Sequence, residues 1–508
     1  MDNPCIYIHG NSVPIVDENG TQVYDFDVSS DQILDICKTV LPEFGKAILT
    51  GKYDTYYDIF ETEFAKLYDR CSLDADGNPK YGTGISEEMK QQSAKEAKTN
   101  KEKNGFGNMD YTFRCDWRLD PLVNADLMDA FIDEILKTTG RSKIYLMSDC
   151  LGSVNIIAYM GKYGHSKLAG IGLLDPVSFG CELVEDPFCG RLDLDPDSIE
   201  RFANDKFIAK TIPADYSTIL ELIQTTVELA NETGMLDGIS DIFMKAVYNK
   251  LKNELVPRLA LASYASWPGY WGLVSAGRYQ EARSFMFGQP GSERFEKHSV
   301  LIEKLDEYDR VVRQRIPEIL TSAKDDGVNV AIVAKYGVQF PCVLEDADRQ
   351  GDVWVSVNYA TLGATCAPVG STLSDEYIAE KEAQGLGKYI SPDRTLDLST
   401  CLLPDNVWIQ KNLIHDEGGY DNDILSCAIN GAGTTIENSP FPQFMVKNTE
   451  TGNIEKMDED NCHTESWYVE PVESKGVFGD FFAKIKAFFD KVGEWFRLVY
   501  EALGMLKK

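Results

Sequence analysis

The chain has 508 residues and carries 81 acidic side chains against 50 Lys and Arg, a formal charge of −31 at neutral pH. That excess excludes a nucleic-acid partner gripped through its phosphates, which needs a basic face, and it favours solubility without deciding fold. Hydrophobic content of 43% and charged content of 26% are those of an ordinary globular protein, and 12 cysteines are too sparse for a disulfide scaffold.

The length accommodates one large α/β domain with insertions, or two to three domains. Cys181 and Cys189 are the one pair close enough in sequence for a local loop closure, and most other thiols are expected to be free. No stretch of 18 apolar residues occurs, so no spanning helix is expected. The chain shows no charged and apolar leader, yet it enters a strand almost at once. From that abruptness we expect a secreted or cell-surface protein whose export signal is absent from this chain, ahead of a cytoplasmic one.

Cys5-Ile-Tyr-Ile8 reads as a short buried strand opening into His9-Gly10-Asn11-Ser12, a loop of the kind that lends a backbone amide to an oxyanion. Taken alone, the His-Gly pair is better read as a plain turn. Residues 31–70 carry helical periodicity, with Ile33, Leu34, Cys37, Val40 and Leu41 on one face. From 71 to 108 the chain is polar and reads as a surface excursion. Within it, Asp74-Ala-Asp76-Gly-Asn78 lacks the spacing and closing Glu of a calcium loop and is expected to be a turn. A strand begins at Tyr111, and a helix with Leu127, Phe131 and Ile135 on one face follows and ends at Gly140.

The stretch 143–160 is the most informative. A short apolar run, Ile144 to Met147, meets a tight turn, Ser148-Asp149-Cys150-Leu151-Gly152, and a second apolar run reads as a helix packed back on a sheet. Strand, sharp turn with small residues two before and two after a central side chain, then helix: this is a nucleophile elbow. The usual pattern is Gly-x-Ser-x-Gly, and here Cys150 holds the nucleophile position while Ser148 replaces the first glycine. Gly170-Ile-Gly-Leu-Leu174 then gives another strand, and strands alternating with helices indicate a mainly parallel sheet.

From 176 to 326 the strand signal disappears and helix follows helix, for example over 216–236 and 296–322. A helical insertion between sheet strands has the form of a cap. Trp267-Pro-Gly-Tyr-Trp271 inside it is read first as packing, and more sharply as Trp267 and Trp271 lining an apolar substrate pocket. Val328 to Ala334 resumes the sheet, and an apolar stretch from Leu402 runs to His415. Residues 440–475 look irregular. Over 476–508, Phe, Trp, Ile, Val and Leu recur at helical spacing, giving an amphipathic helix whose polar face is only weakly basic. Peripheral membrane contact through this segment is one expectation, with docking on the enzyme or on a partner helix as its alternative.

An elbow nucleophile needs a base and a group to orient that base, in the chain order nucleophile, acid, histidine. Of five histidines, His165 and His298 fall in the wrong order and His463 lies in the irregular tail. His415, downstream in a loop after an apolar stretch, is the base. Asp346, Asp348 and Asp352 all fall near the expected acid position, and Asp352, directly before the apolar run Val353 to Val357, is the choice. Backbone amides of Leu151 and Asn11 are the expected oxyanion donors. No cofactor and no metal are expected, because no cluster has metal-ligand spacing and there is no Gly-rich phosphate loop.

Five motifs then stand in series: Asp116-Trp-Arg-Leu119; the elbow; Trp267-Pro-Gly-Tyr-Trp-Gly-Leu273; Gly351-Asp-Val-Trp354 with Ala360-Thr-Leu-Gly363; and Pro404-Asp-Asn-Val-Trp-Ile-Gln-Lys-Asn-Leu-Ile-His415. The series resembles the lecithin:cholesterol acyltransferase-like, lipase-like branch of the α/β-hydrolases, especially its bacterial members, over about residues 4 to 440. The resemblance implies an α/β-hydrolase core (1–175 and 327–439), a helical cap (176–326), an extension (440–475) and the terminal helix (476–508). It also implies acyl transfer from lipid-like esters to water or an alcohol, with the family's acid and histidine falling on Asp352 and His415 and its serine on Cys150. A non-catalytic relative that binds a lipid or protein partner is the alternative.

Overall fold

The computed structural model describes residues 1–23, 30–192, 241–340, 344, 349–415, 417–419, 421–431, 433–448 and 450–462. The 216–236 helix, His463, the alternative acids Asp346 and Asp348, and the 476–508 segment lie outside these.

An eight-stranded sheet organises the molecule. Its strands are β1 (Cys5–Ile8), β2 (Tyr111–Phe113), β3 (Ile144–Asp149), β4 (Leu168–Leu174), β5 (Asn329–Tyr336), β6 (Val407–Lys411), β7 (Phe444–Lys447) and β8 (Ile454–Lys456). The spatial order is β8-β7-β6-β5-β4-β3-β1-β2, parallel throughout except for the antiparallel β7–β8 pair. The chain leaves β1 for one edge, returns on its other side as β3, and then advances strand by strand toward the opposite edge. The order therefore reverses between β1 and β3, and in open parallel sheets ligands bind beyond the strand ends at such a switch point. This is an α/β-hydrolase-like fold.

Both faces of the sheet are covered, as a parallel sheet requires. Alternate residues of each strand serve opposite faces: Ile6 and Ile8 join one core, whereas Cys5 and Tyr7 join the other. Residues 31–70, where helical periodicity is expected, hold two helices, α1 (Ser30–Thr50) and α2 (Asp54–Tyr68). These pack with each other and with a helix of the 176–326 region, α7 (Asp241–Leu261), around Tyr53, Tyr56, Tyr57 and Leu255.

The polar excursion contains α3 (Glu87–Ala97), which pattern reading misses because its apolar positions are few; its signal was the cap, with Ser86 Oγ accepting from the Met89 amide at 3.2 Å. Helices α4 (Pro121–Thr139) and α5 (Gly152–Tyr163) pack together on the sheet, and Gly140 closes α4 at a φ of 69°. Beyond α6 (Glu182–Phe188) and α7, the region carries α8 (Ser299–Val311) and α9 (Ile316–Asp325). Helix α9 packs against α5 and leads directly into β5. On the opposite face, α10 (Asp421–Asn430) lies close over β4, where a Cβ at Gly170 would come within 3.0 Å of Ile429 and one at Gly172 within 3.2 Å of Leu425.

Three expectations are corrected. Residues 444–456 are not irregular: Phe444, Met445 and Val446 are buried and β7 and β8 extend the sheet, a signal too short to stand out among prolines and acids. Cys181 and Cys189, at the two ends of α6, are separate free thiols. Trp267 and Trp271 line no open pocket. They are 1% and 0% exposed, in an aromatic cluster where Trp267 meets Trp117 edge-on at 5.4 Å and Trp271 packs on Phe188 at 4.8 Å. Their large apolar area fastens the 267–271 segment to Trp117 and Phe188.

The expected turn at Asp74–Asn78 is present, with Asp74 Oδ1 accepting from the Asp76 and Asn78 amides and Lys304 Nζ donating to Asp76 O at 2.6 Å. The 71–83 segment is tied down by Arg118, which is fully buried. Its guanidinium pairs with Asp116 at 2.7 Å and donates to Cys71 O and Thr83 O at 2.6 and 3.1 Å. Replacing Arg118 by Met strands Asp116 and two carbonyls in the interior, and is expected to cost about 3–5 kcal/mol. Urea denaturation checks this, and an unchanged midpoint and slope would remove Arg118 from its anchoring role.

Candidate active site

The C-terminal edge of the sheet gathers the chemistry. Cys150 sits at the end of β3 with a φ of 44°, in the left-handed region where a non-glycine residue is strained. Its conformation is over-determined: the Cys150 amide donates to Leu174 O at 3.0 Å, and Ser153 Oγ donates to Cys150 O at 2.7 Å. A Cβ at Gly152 would fall 2.2 Å from Ile8 O and 2.9 Å from Ser148 Cβ, so the turn demands glycine there and a small residue at 148. Ser148 meets that demand, although its fully buried Oγ has no hydrogen-bond partner. Because Ser148 lies inside the strand, the half-buried Cys150 alone occupies the apex.

The loop after β1 lies against the elbow. A Cβ at Gly10 would stand 3.1 Å from Cys150 Cβ and 3.4 Å from the Leu151 amide nitrogen, so Leu151 N and the 10–11 backbone face the same small space. Asp149, which sequence reading passed over, holds this loop: its Oδ1 accepts from the Gly10 amide at 2.6 Å and its Oδ2 from Tyr7 at 3.3 Å. His9 Nδ1 lies 3.6 Å from the same carboxylate. The Gly10 amide is thereby engaged.

Asp352 follows β5 in a loop and His415 follows β6. The two side chains meet, with His415 Nδ1 and Asp352 Oδ2 2.7 Å apart at exposures of 6% and 0%. Asp352 Oδ1 is locked by the amides of Trp354 and Val355, each at 2.9 Å, and the His415 amide donates to Asp352 O at 3.1 Å. An aspartate so held accepts from Nδ1–H and leaves Nε2 for another partner, and the Cys150 sulfur is near enough to act on the ring's charge. Burial opposes a charge on His415, but Asp352 and the Cys150 sulfur outweigh it and raise its pKa well above the ordinary 6.5. Two other histidines lie elsewhere: His165 pairs with Asp326 at 2.8 Å, and His298 engages Arg294 O at 2.8 Å.

Three further buried charged residues adjoin the pair. Lys335, at the end of β5, lies 2.8 Å from Asp175 and 3.7 Å from Asp421, and donates to His415 O at 3.0 Å. No sequence pattern marks them, because they meet only through the register of neighbouring strand ends.

No protein-family model matches the chain, and no curated protein matches it. Among solved structures, a chain of the crystal structure of Tle4-Tli4 complex is similar over 38% of this chain and 49% of that chain, at 11% identity and a TM-score of 0.20. The match thus spans about half of that chain's length, and so slight a likeness carries no argument about this one.

Folded His415 holds its proton more tightly than the unfolded chain does. The resulting stabilisation is complete below about pH 6.5 and is lost as pH rises through the raised folded value. Thermal melts of His415→Gln across pH should show a stability deficit that is largest below neutrality and shrinks in alkali; a deficit growing with pH contradicts the assignment.

Proposed function

We propose that the protein is an acyl hydrolase or acyltransferase acting on lipid-like esters through a covalent Cys150 intermediate, in the manner of the lipase-like α/β-hydrolases its motif series resembles. One observation carries this reading: the continuous chain from the locked Asp352 through His415 to a Cys150 apex held at positive φ over the sheet's switch point. A half-buried thiol used only for packing needs neither the strained turn nor an imidazole oriented toward it.

In this reading the Cys150 sulfur attacks the ester carbonyl, and the negative charge on the carbonyl oxygen is met by the Leu151 and Asn11 amides. His415 Nε2–H gives its proton to the departing alkoxide as the C–O bond breaks, leaving a thioester on Cys150. Neutral His415 then takes a proton from water or an acceptor alcohol, whose oxygen attacks the thioester, and the thiol is released. Asp352 fixes the tautomer and steadies the imidazolium.

A panel of esters, thioesters and amides of varied chain length identifies the leaving group and acyl length. Cys150→Ala should lower kcat by at least about 10³-fold on the best substrate. An acyl-reactive probe at neutral pH should label Cys150 stoichiometrically in the wild type and fail in His415→Ala; an inert Cys150 in the folded protein would falsify the enzymatic reading and favour a lipid- or partner-binding relative.

The apolar periodicity of 476–508 supports a peripheral lipid contact, consistent with an ester substrate presented at an interface. Among the described residues, no helix is long and apolar enough to cross a membrane. Deleting 476–508 should abolish co-sedimentation with liposomes and leave turnover of a water-soluble ester intact, whereas unchanged partitioning rules out this contact.

A further inference from the structure

The mechanism uses one carboxylate beside His415, yet the site contains two. Asp175 is the first residue beyond β4, held at a φ of 40° with its amide donating to Val333 O at 2.8 Å. It is 1% exposed, and its Oδ1 accepts no hydrogen bond from the described residues. One oxygen of Asp175, one of Asp352 and a ring nitrogen of His415 all lie within 4.8 Å of one another. A strained backbone that delivers an incompletely satisfied, buried carboxylate to the catalytic imidazole is expensive as a packing device, since an apolar residue would fill the same space without the desolvation.

We propose that Asp175 is a positioning residue of the Cys150–His415 site: with Asp352 it forms a two-carboxylate cradle around the His415 ring, and Lys335 fastens that second carboxylate in place. The inference rests on the proposed Cys150–His415 chemistry. Lys335 suits the part because its ammonium spans Asp175 and the His415 carbonyl, so the charge that holds Asp175 also holds the histidine loop. Asp421 lies on the far side of Lys335 and is itself engaged by Gln410 Nε2 at 2.5 Å.

The groups facing this centre are Asp352 and the Cys150 sulfur on the imidazole, Asp175, Lys335 and Asp421 behind it, and the buried thiol of Cys181, which feels both Cys150 and Asp352. Burial and the neighbouring carboxylates push the Asp175 carboxyl up to about 7 against the pull of Lys335, so above neutrality it is anionic. There it favours the imidazolium. In acid Asp175 is neutral and Asp352 acts alone. The cradle thereby extends the thiolate–imidazolium pair toward higher pH.

The test needs no substrate. The rate of iodoacetamide alkylation at Cys150 is measured against pH in the full-length protein, with the modified peptide resolved by mass spectrometry. A thiolate–imidazolium pair gives two steps, and the upper one marks loss of the His415 proton; His415→Ala should show one step only. Asp175→Asn should move the upper step down by about one pH unit or more. Asp352→Asn should retain a lowered upper step because Asp175 remains, and the double variant should lose it. A loss of packing alone lowers rates or melting temperature without moving the step. An upper step unmoved in folded Asp175→Asn overturns the proposal, as does an Asp352→Asn profile already reduced to one step, a result that does not depend on Asp175→Asn folding. A single step in the wild type overturns the Cys150–His415 reading itself, which separates the two failures.

Discussion

The close approach of β1 to the elbow is the constraint on which the site depends. Gly152 leaves no room for a side chain against Ile8 O, so α5 begins directly above the end of β1. That crossing forces the chain through a left-handed residue, and the residue it forces is Cys150. The strain, on the order of 1–3 kcal/mol, is borne by the β1–β3–β4 ladder, whose strands are pinned in register on both sides. The same crossing brings Gly10 and its loop against Cys150, so the Cys150 thiol and the 10–11 backbone are set by one local geometry.

Around this apex the strand ends of β3, β4, β5 and β6 collect Asp149, Asp175, Lys335, Asp352 and His415, with Asp421 opening α10. Charges this deep contribute little net stability, because the desolvation of each offsets most of its pairing. What they supply is position. Asp352 is fixed by two amides before it meets His415, and Lys335 joins Asp175 to the His415 backbone. A cluster with more acids than bases stabilises a cation at its centre, and His415 occupies that centre.

The surplus bears on the proposed role of Cys150. A serine hydroxyl stays protonated until its base acts, so a neutral histidine suits it. A thiol ionises far more readily, and an imidazole held protonated by surrounding carboxylates favours a resting ion pair. The electrostatics around His415 thus accord with sulfur at position 150.

The local patterns of the chain determined a good deal. The apolar run, tight turn and apolar run at 144–160 required a strand, an elbow and a helix, and the order of chemical residues singled out Cys150, Asp352 and His415. These are legible because they depend on neighbours a few residues away or on chain order. Tertiary structure decided what depends on distance in space. It enclosed Trp267 and Trp271 in the interior, since an aromatic pair reads alike whether it meets a substrate or Phe188 and Trp117. It added β7 and β8, whose few apolar residues acquire meaning only beside β6. It set Asp149 on the Gly10 loop and carried Asp175 and Lys335, 160 positions apart in sequence, to within 2.8 Å of each other beneath His415. Residue types and spacing encode local conformation, whereas the meeting of charges across parallel strands follows from register and crossover, which no local pattern records.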